Sequence, residues 1–297
     1  MSATAAGTGV LGRIRRADTL PYWLIVPALA YLLLFFVSPV VQAFWLAFES
    51  EGGGWTMANF ATMVNDASFG EALRFTLVLV AVILPLQFVI ALAMALIVNS
   101  RIRGRSALLY VFLLPLAISE LAAGIIWYAI FTERGYLNTV LERLGLVDTP
   151  VIWIDPQRTG LLLGEVVMAE LWRSTALVMV VLVAGLQGIP KEYGEAAEVF
   201  GAGFFRRLFR VTLPMLKPAL AVALLLRTVL AFEVFATVIA ITGRGATVLT
   251  AEAWRWHTTF RDANVAAAYA ALILVLTLVA AAIILRIFRT PRERLIR

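Results

Sequence analysis

The sequence predicts an all-α membrane protein with six transmembrane helices and both termini in the cytoplasm. Of its 297 residues, 62% are hydrophobic and only 15% are charged, which is too apolar for a soluble domain. Apolar runs of about 20 residues, the length that crosses the hydrocarbon core as a helix, recur along the chain. Composition and run length together therefore indicate the fold class.

Six such runs are bounded by charged residues, Gly or Pro. They extend from Tyr22 to Phe48, Leu73 to Val98, Ala107 to Phe131, Leu161 to Gln187, Ala219 to Ile241 and Val265 to Leu285. We expect an N-tail over 1–21, a transmembrane domain over 22–287 and a basic C-tail over 288–297. A cleaved signal peptide is the alternative for the N-terminus, because arginines precede the first run, but that run is longer than a signal-peptide core.

The distribution of Lys and Arg predicts the orientation. Sixteen of these residues fall in four segments that alternate spans would place on one side: the N-tail, 101–105, 188–217 and the end of the chain from Arg286 onward. Seven fall on the opposite side or at its edge. The excess marks the cytoplasmic side and puts both termini there. The net charge of +6 is thus an orientation signal, and we expect membrane lipid rather than nucleic acid as the partner of the basic residues.

One connection on the predicted cytoplasmic side, residues 188–217, is long for a link between two helices. Glu195, Ala196 and Ala197 can begin a short helix, and Gly201 permits a sharp turn. Phenylalanines and arginines then recur at helical spacing from Phe204 onward, and prolines restart the chain as a membrane helix. An amphipathic helix lying on the membrane surface is the alternative that this pattern alone leaves open.

The whole string resembles the EAA loop of ABC-importer permeases. The resemblance is carried by Glu195-Ala196-Ala197, Gly201 and Val211-Thr212-Leu213-Pro214. Two positions depart from the family pattern: Phe200 stands where Asp is usual, and Val211 stands where Ile is usual. In that family the loop is a coupling helix that docks on the ATPase subunit. The resemblance implies that ATPase coupling depends on Glu195, Ala196, Ala197, Gly201, Phe204, Arg207, Leu213 and Pro214.

The resemblance covers nearly the whole chain. Two further features are similar to sugar-type permeases, in particular to the first permease of maltose, trehalose and glycerol-phosphate systems. They are the segment from Gly135-Tyr136-Leu137-Asn138 to Gly145-Leu146, and Trp172. This resemblance implies that the chain lies in a prokaryotic cell membrane and that its substrate is a sugar or sugar derivative. The partners it implies are a second similar permease, two ATPase subunits and an extracytoplasmic solute-binding protein. No cofactor is expected on this chain, because ATP-Mg would bind the ATPase.

Ionisable side chains within apolar spans are the candidate lining of a substrate pathway. Each costs about 2.5–3.5 kcal/mol at the centre of a helix on insertion scales, so each needs a partner or a function. Glu170 and Arg173 share a helix face and can pair with each other, whereas Arg227 and Glu233 point in different directions. Trp172 would add an aromatic face for a sugar. The predicted pathway residues are Glu120, Glu170, Trp172, Arg173, Arg227 and Glu233.

The sequence argues against an enzyme. It lacks Cys, has one His, and contains neither a Gly-Lys phosphate-binding loop nor HExxH or GxSxG, so no catalytic residues and no metal ligands are expected. Two non-enzymatic alternatives stay open beside the ABC importer. One is an ion-coupled secondary transporter that uses the intramembrane Glu residues, and the other is a non-transporting membrane scaffold.

Overall fold

The structure is a computed structural model, and it describes residues 23–50, 52–100, 102–243 and 245–288. These residues are helical apart from their connections and one isolated bridge between Glu49 and Trp55. The predicted all-α class is confirmed. The N-tail and most of the C-tail lie outside the described residues.

Five helices are long and apolar enough to cross a membrane, and a bent pair of helices makes a sixth candidate span if the two are counted as one. The helices are α1 (Trp23–Ala47), α2 (Ala58–Asn65), α3 (Phe69–Asn99), α4 (Arg105–Leu113), α5 (Glu120–Phe131), α6 (Tyr136–Arg143), α7 (Thr159–Gln187), α8 (Lys191–Val199), α9 (Phe204–Phe232), α10 (Ala236–Thr242), α11 (Leu249–Thr258) and α12 (Ala263–Phe288).

Helices α3 and α7 run parallel and form the centre of the bundle. At one end Phe75 and Leu79 of α3 pack with Leu162 of α7, and at the other end Ala95 packs with Leu182. Helix α9 runs the opposite way between these clusters, and α12 closes the bundle beside α1, α2 and α11. Helices α2 and α11 therefore lie at the first end of the bundle, and α8 lies at the second end.

The span predicted over Ala107–Phe131 is interrupted close to Pro115. Helix α4 tightens into a 3-10 turn over Leu114–Ala117, and the chain is extended at Ile118 and Ser119. Pro115 lies in this turn, where its ring and missing N–H disfavour a continuing helix. Ser119 then caps α5, because its side chain accepts a hydrogen bond from the Ala122 N–H at 3.2 Å. The two parts of this candidate span, Arg105–Ala117 and Glu120–Arg143, have axes that differ by 97°.

The fifth span differs at both ends from the predicted Ala219–Ile241. The helix begins at Phe204, so the prolines do not restart it. A widened π-turn over Leu208–Thr212 precedes Pro214 and lets the helix continue through a residue that lacks an N–H. At the other end the helix stops at Phe232, residues 233–235 are not helical, and α10 resumes at Ala236. We call residues 233–235 the break.

Close approach of α7 and α9 depends on Gly185. A Cβ added there would lie 2.4 Å from the Ala219 Cβ and 2.8 Å from the Leu216 Cδ1. Gly164, on the same helix, has no atom within 4 Å of the corresponding position. The two glycines therefore belong to the same helix, but only Gly185 is packed against a neighbouring helix.

We predict that Gly185→Ala destabilises the bundle, whereas Gly164→Ala does not. Overpacking at Gly185 should cost about 1–3 kcal/mol, and Ala at Gly164 should gain up to about 1 kcal/mol of helix propensity. Thermal unfolding of the purified chain in one detergent measures both. Equal midpoints for the two variants would show that α7 and α9 are not in this contact.

Candidate functional site

A carboxylate and a guanidinium form a buried ion pair between two spans. Glu170 of α7 is 0% exposed and Arg227 of α9 is 1% exposed. Arg227 Nη2 donates to Glu170 Oε2 at 2.8 Å. The sequence indicated that Arg227 needs a partner away from Glu233, and Glu170 is that partner.

Gln87 joins α3 to the same pair. Its Nε2 donates to the backbone oxygen of Glu170 at 3.0 Å, and its Oε1 accepts from Arg227 Nε at 2.5 Å. Gln87 is fully buried, and its amide uses both its donor and its acceptor here. Three spans therefore meet at one set of polar groups.

Further donors complete the surroundings of the Glu170 carboxylate. Arg173 Nη2 donates to Oε1 at 3.1 Å, and Ser174 Oγ donates to Oε2 at 3.1 Å. Thr237 Oγ1 of α10 donates to Oε1 at 3.0 Å. A carboxylate accepts several hydrogen bonds, so these contacts compensate for the loss of water. We call Gln87, Glu170, Arg173, Ser174, Arg227 and Thr237 the charge network.

Glu120 holds the break between α9 and α10. Its Oε1 accepts from the backbone N–H of Phe235 at 2.9 Å and of Thr237 at 3.2 Å. These are N–H groups that a helix start leaves unpaired, and a carboxylate is the favoured partner there. Gly124, one turn further along α5, permits the close approach, since a Cβ there would lie 2.6 Å from the Ala240 Cβ.

A cavity of about 220 Å³ lies beside the charge network. Its lining combines apolar side chains with both signs of charge: Leu116, Glu120, Arg173, Ser174, Leu177, Arg227, Leu230 and Glu233. Two buried N–H groups of this lining, Arg173 Nε and Arg227 Nη1, have no hydrogen-bond partner in the described residues. The guanidinium groups of the lining are therefore not fully satisfied within the described residues.

The structure brings five of the six predicted pathway residues together. Glu120, Arg173, Arg227 and Glu233 line the cavity, and Glu170 is buried behind it. Trp172 is not among the lining residues. Its ring packs edge to face on Trp127 of α5, with centroids 6.1 Å apart. The direction of a side chain on a long helix depends on its neighbours, which the sequence alone does not give.

The sequence reasoning missed three polar residues of this region. Ser174 and Thr237 carry no charge and gave no signal within their apolar runs. Glu165 did, because it is a further ionisable residue within the fourth span, and it was overlooked. It is buried on α7, and neither carboxylate oxygen has a hydrogen-bond partner in the described residues.

The segment that resembles the EAA loop forms an exposed helical hairpin at the second end of the bundle. Helix α8 carries Glu195, Ala196 and Ala197, and Gly201 follows it with a positive φ of 72°. Val199 and Phe200 are 85% and 87% exposed. An ion pair between Glu198 and Arg207 joins α8 to the start of α9.

The remaining predicted coupling residues lie on α9. Phe204 and Pro214 are exposed, and Leu213 is half-buried against the cluster at the second end of the bundle. The predicted loop over 188–217 therefore divides into α8, a turn, and the first turns of a long span.

A second polar cluster lies at the first end of the bundle, outside the spans. Asp66, between α2 and α3, accepts from Arg255 Nη2 and Trp256 Nε1 of α11, both at 2.8 Å. Burial alone would raise the pKa of Asp66, but hydrogen bonds from the Ser68 N–H, Trp256 and Arg255, with the charge of Arg255, hold it below its usual value.

Comparison with known proteins defines the class to which this fold and this site belong. The family model of the binding-protein-dependent transport system inner membrane component matches residues 87–292, and the chain belongs to this family. It is a permease subunit of an ABC importer and a multi-pass protein of a prokaryotic cell membrane. The predicted class is confirmed, and the secondary-transporter alternative is disfavoured.

Curated relatives cover most of the chain. It is 32% identical to the trehalose/maltose transport system permease protein MalF of Thermococcus litoralis, over 77% of this chain and 79% of that one. It is 33% identical to the trehalose transport system permease protein SugA of Mycobacterium tuberculosis, over 75% and 73%. It is 31% identical to the sulfoquinovosyl glycerol permease protein SmoG of Agrobacterium fabrum, over 90% and 89%.

A solved structure shares the fold. It is a bacterial alginate ABC transporter in complex with an alginate pentasaccharide-bound periplasmic protein. One of its chains superposes with a TM-score of 0.81 at 24% identity, covering 94% of this chain and 97% of that one.

We predict that Arg227→Met strongly destabilises the bundle, because it leaves the buried Glu170 carboxylate without its closest cation. Breaking a buried pair by removing one partner costs about 3–5 kcal/mol. Arg158→Met is the matched control, since Arg158 pairs with Asp155 at an exposed site and should cost at most about 1 kcal/mol. Thermal unfolding in lipid nanodiscs measures both, and equal losses would contradict the structural role of the network.

We predict that Asp66 makes unfolding depend on pH in the acid range. Its folded pKa lies below its unfolded value of about 3.9, so its stabilisation is present above pH ~4 and is lost as pH falls through the folded pKa. Asp66→Asn should lower the unfolding free energy at pH 7 and flatten its decrease below pH ~4. Asp148→Asn, at an exposed aspartate, is the control. A pH profile of Asp66→Asn parallel to that of the unsubstituted chain would refute this.

Proposed function

We propose that this chain forms half of the pathway of an ABC importer for a sugar or sugar derivative. The relatives named above support a carbohydrate, since their names specify trehalose, maltose and sulfoquinovosyl glycerol. A second, similar permease completes the pathway. Two ATPase subunits bind ATP-Mg, and an extracytoplasmic solute-binding protein delivers the substrate.

In this proposal the α8 end of the bundle faces the cytoplasm and the α11 end faces outward. The excess of Lys and Arg in 188–217 and in the two tails supports this orientation. It puts the exposed hairpin where an ATPase can reach it and puts the Asp66 cluster on the side of the binding protein.

The exposed hairpin carries the coupling, and its form is the observation on which the proposal depends. Val199 and Phe200 offer an apolar surface for a partner, and Ala196 and Ala197 permit close approach. The Gly201 turn and the Glu198–Arg207 pair fasten this surface to α9. A displacement of α8 by the ATPase would therefore move α9 as a near-rigid rod.

Helix α9 also carries the groups that would meet the substrate. Arg227 lies 20 residues beyond Arg207, about 30 Å along a helix axis. Glu233 follows at the break, and both residues line the cavity. Movement of one helix would thus change the cavity when ATP binds or is hydrolysed. Glu120 and Arg173 would move relative to α9, since they belong to α5 and α7.

We predict that Gly201→Ser abolishes transport while membrane insertion and subunit assembly persist. Serine at a φ of 72° is strained, so the hairpin should lose its shape. Gly203→Ser is the matched control, since Gly203 precedes α9 with a negative φ where serine is a favoured cap. Uptake of labelled sugar and sugar-stimulated ATPase activity in proteoliposomes of the whole complex measure both.

Transport at the normal rate in Gly201→Ser would reject coupling through this turn. Uptake driven by the purified chain alone under an ion gradient, without an ATPase, would instead favour the ion-coupled alternative.

A further inference from the structure

A second cavity, the outer pocket, lies at the first end of the bundle between α11, the start of α3 and the end of α10. Its volume is about 700 Å³, which is within the range of small-molecule sites. Trp254 and Phe260 supply exposed aromatic rings. Hydroxyl and charged groups share the lining: Ser68, Glu71, Thr247, Glu252, Arg255, Thr258 and Thr259.

The polar side of the outer pocket is held in place. Glu252 is 3% exposed, and its Oε1 accepts from Thr247 Oγ1 at 2.7 Å. Arg255 is held by Asp66 at 2.8 Å. A pocket with fixed polar groups beside exposed rings suits a ligand that has both an apolar face and many hydroxyls.

The charge of the outer pocket favours an uncharged saccharide over one that carries a carboxylate or phosphate. Among the described lining residues, the carboxylates of Glu71 and Glu252 outnumber the single guanidinium of Arg255. Arg255 is already paired with Glu252 within the lining and with Asp66 behind it, so the exposed Glu71 carboxylate is the unpaired charge among the described lining residues. A carboxylate or phosphate on the ligand would meet net negative charge, and an uncharged saccharide would not.

We infer that the outer pocket is a binding subsite for an uncharged saccharide, separate from the cavity between the spans. The inference depends on the proposed function, because it needs a sugar to arrive at this side of the membrane. A ring face would stack on Trp254, while the exposed Glu71 carboxylate would accept hydrogen bonds from sugar hydroxyls and the threonine hydroxyls would accept and donate them.

Side-chain contacts through the break link the outer pocket to the cavity beside the charge network. Trp254 packs on Phe235 with ring centroids 5.9 Å apart, and Thr250 Oγ1 donates to the Val234 oxygen at 2.8 Å. The Phe235 N–H in turn donates to Glu120, which lines the cavity. A sugar on Trp254 therefore contacts a side chain that packs directly on the break.

Cysteine protection tests the subsite, because the chain contains no cysteine of its own. Thr259→Cys places a thiol in the outer pocket, and Thr62→Cys places one in a different, open cavity at the same end. The complex is purified with its partner subunits through a tag on this chain. Modification by a water-soluble maleimide is then timed with and without millimolar trehalose, maltose or glucuronate.

We expect a neutral disaccharide to slow modification at Thr259→Cys several-fold, and glucuronate to have no effect. Thr62→Cys should react at one rate throughout. Trp254→Ala should remove the protection, Trp254→Phe should keep part of it, and Trp55→Ala, at an exposed tryptophan outside the pocket, should leave it unchanged. An unchanged rate at Thr62→Cys in these backgrounds shows that the fold persists.

Sugar-stimulated ATPase activity without any protection at Thr259→Cys would overturn the subsite and leave the proposed function intact. Protection by the sugar-free binding protein alone would assign the pocket to protein docking and would also overturn it. Absence of both protection and sugar-stimulated ATPase activity would reject the subsite together with a carbohydrate substrate.

Discussion

A carboxylate and a guanidinium buried within the spans need partners inside the protein, and the position of every central helix depends on that requirement. Lipid supplies no hydrogen bonds, so an unpaired charge there is costly. Glu170 and Arg227 meet the requirement with each other and with Gln87, Arg173 and Thr237. These residues come from α3, α7, α9 and α10. None of these helices can shift far without leaving a buried polar group unsatisfied, so the network favours discrete arrangements over gradual deformation.

Helix α9, which carries Arg227 of the charge network, also links the exposed hairpin to the break and the cavity. Helix α9 starts at the exposed hairpin, carries Arg227 through the network and ends at the break beside the cavity. On the other side of the break, α11 contacts Val234 and Phe235 and forms one wall of the outer pocket. In the proposed function, the ATPase acts on one end of this assembly and the sugar acts on the other. The break, held by Glu120, is the place where both effects meet.

Much of this architecture follows from the sequence by simple rules. Apolar run length indicates the spans, and the cost of buried charge identifies Glu120, Glu170, Arg173, Arg227 and Glu233 as partners or lining. The two interruptions do not follow from hydropathy. Both interruptions, residues 118–119 and 233–235, lie in apolar runs. The backbone of 233–235 is satisfied by tertiary contacts, in which the Phe235 N–H donates to Glu120 and the Val234 oxygen accepts from Thr250. Thr237, Ser174 and the position of Trp172 were missed for the same reason, since pairing across helices depends on rotation about each helix axis. Glu165, by contrast, was visible as a charge in the fourth span.

A double-mutant cycle between Glu170 and Arg227 measures the central interaction most directly. The free energies of unfolding of the unsubstituted chain, Glu170→Gln, Arg227→Gln and the double variant are compared in the same lipid. If the two groups compensate each other's burial, the double variant should be less destabilised than the sum of the single variants, by at least about 1 kcal/mol. Strictly additive losses would show that the pair does not hold these helices together and would contradict the account.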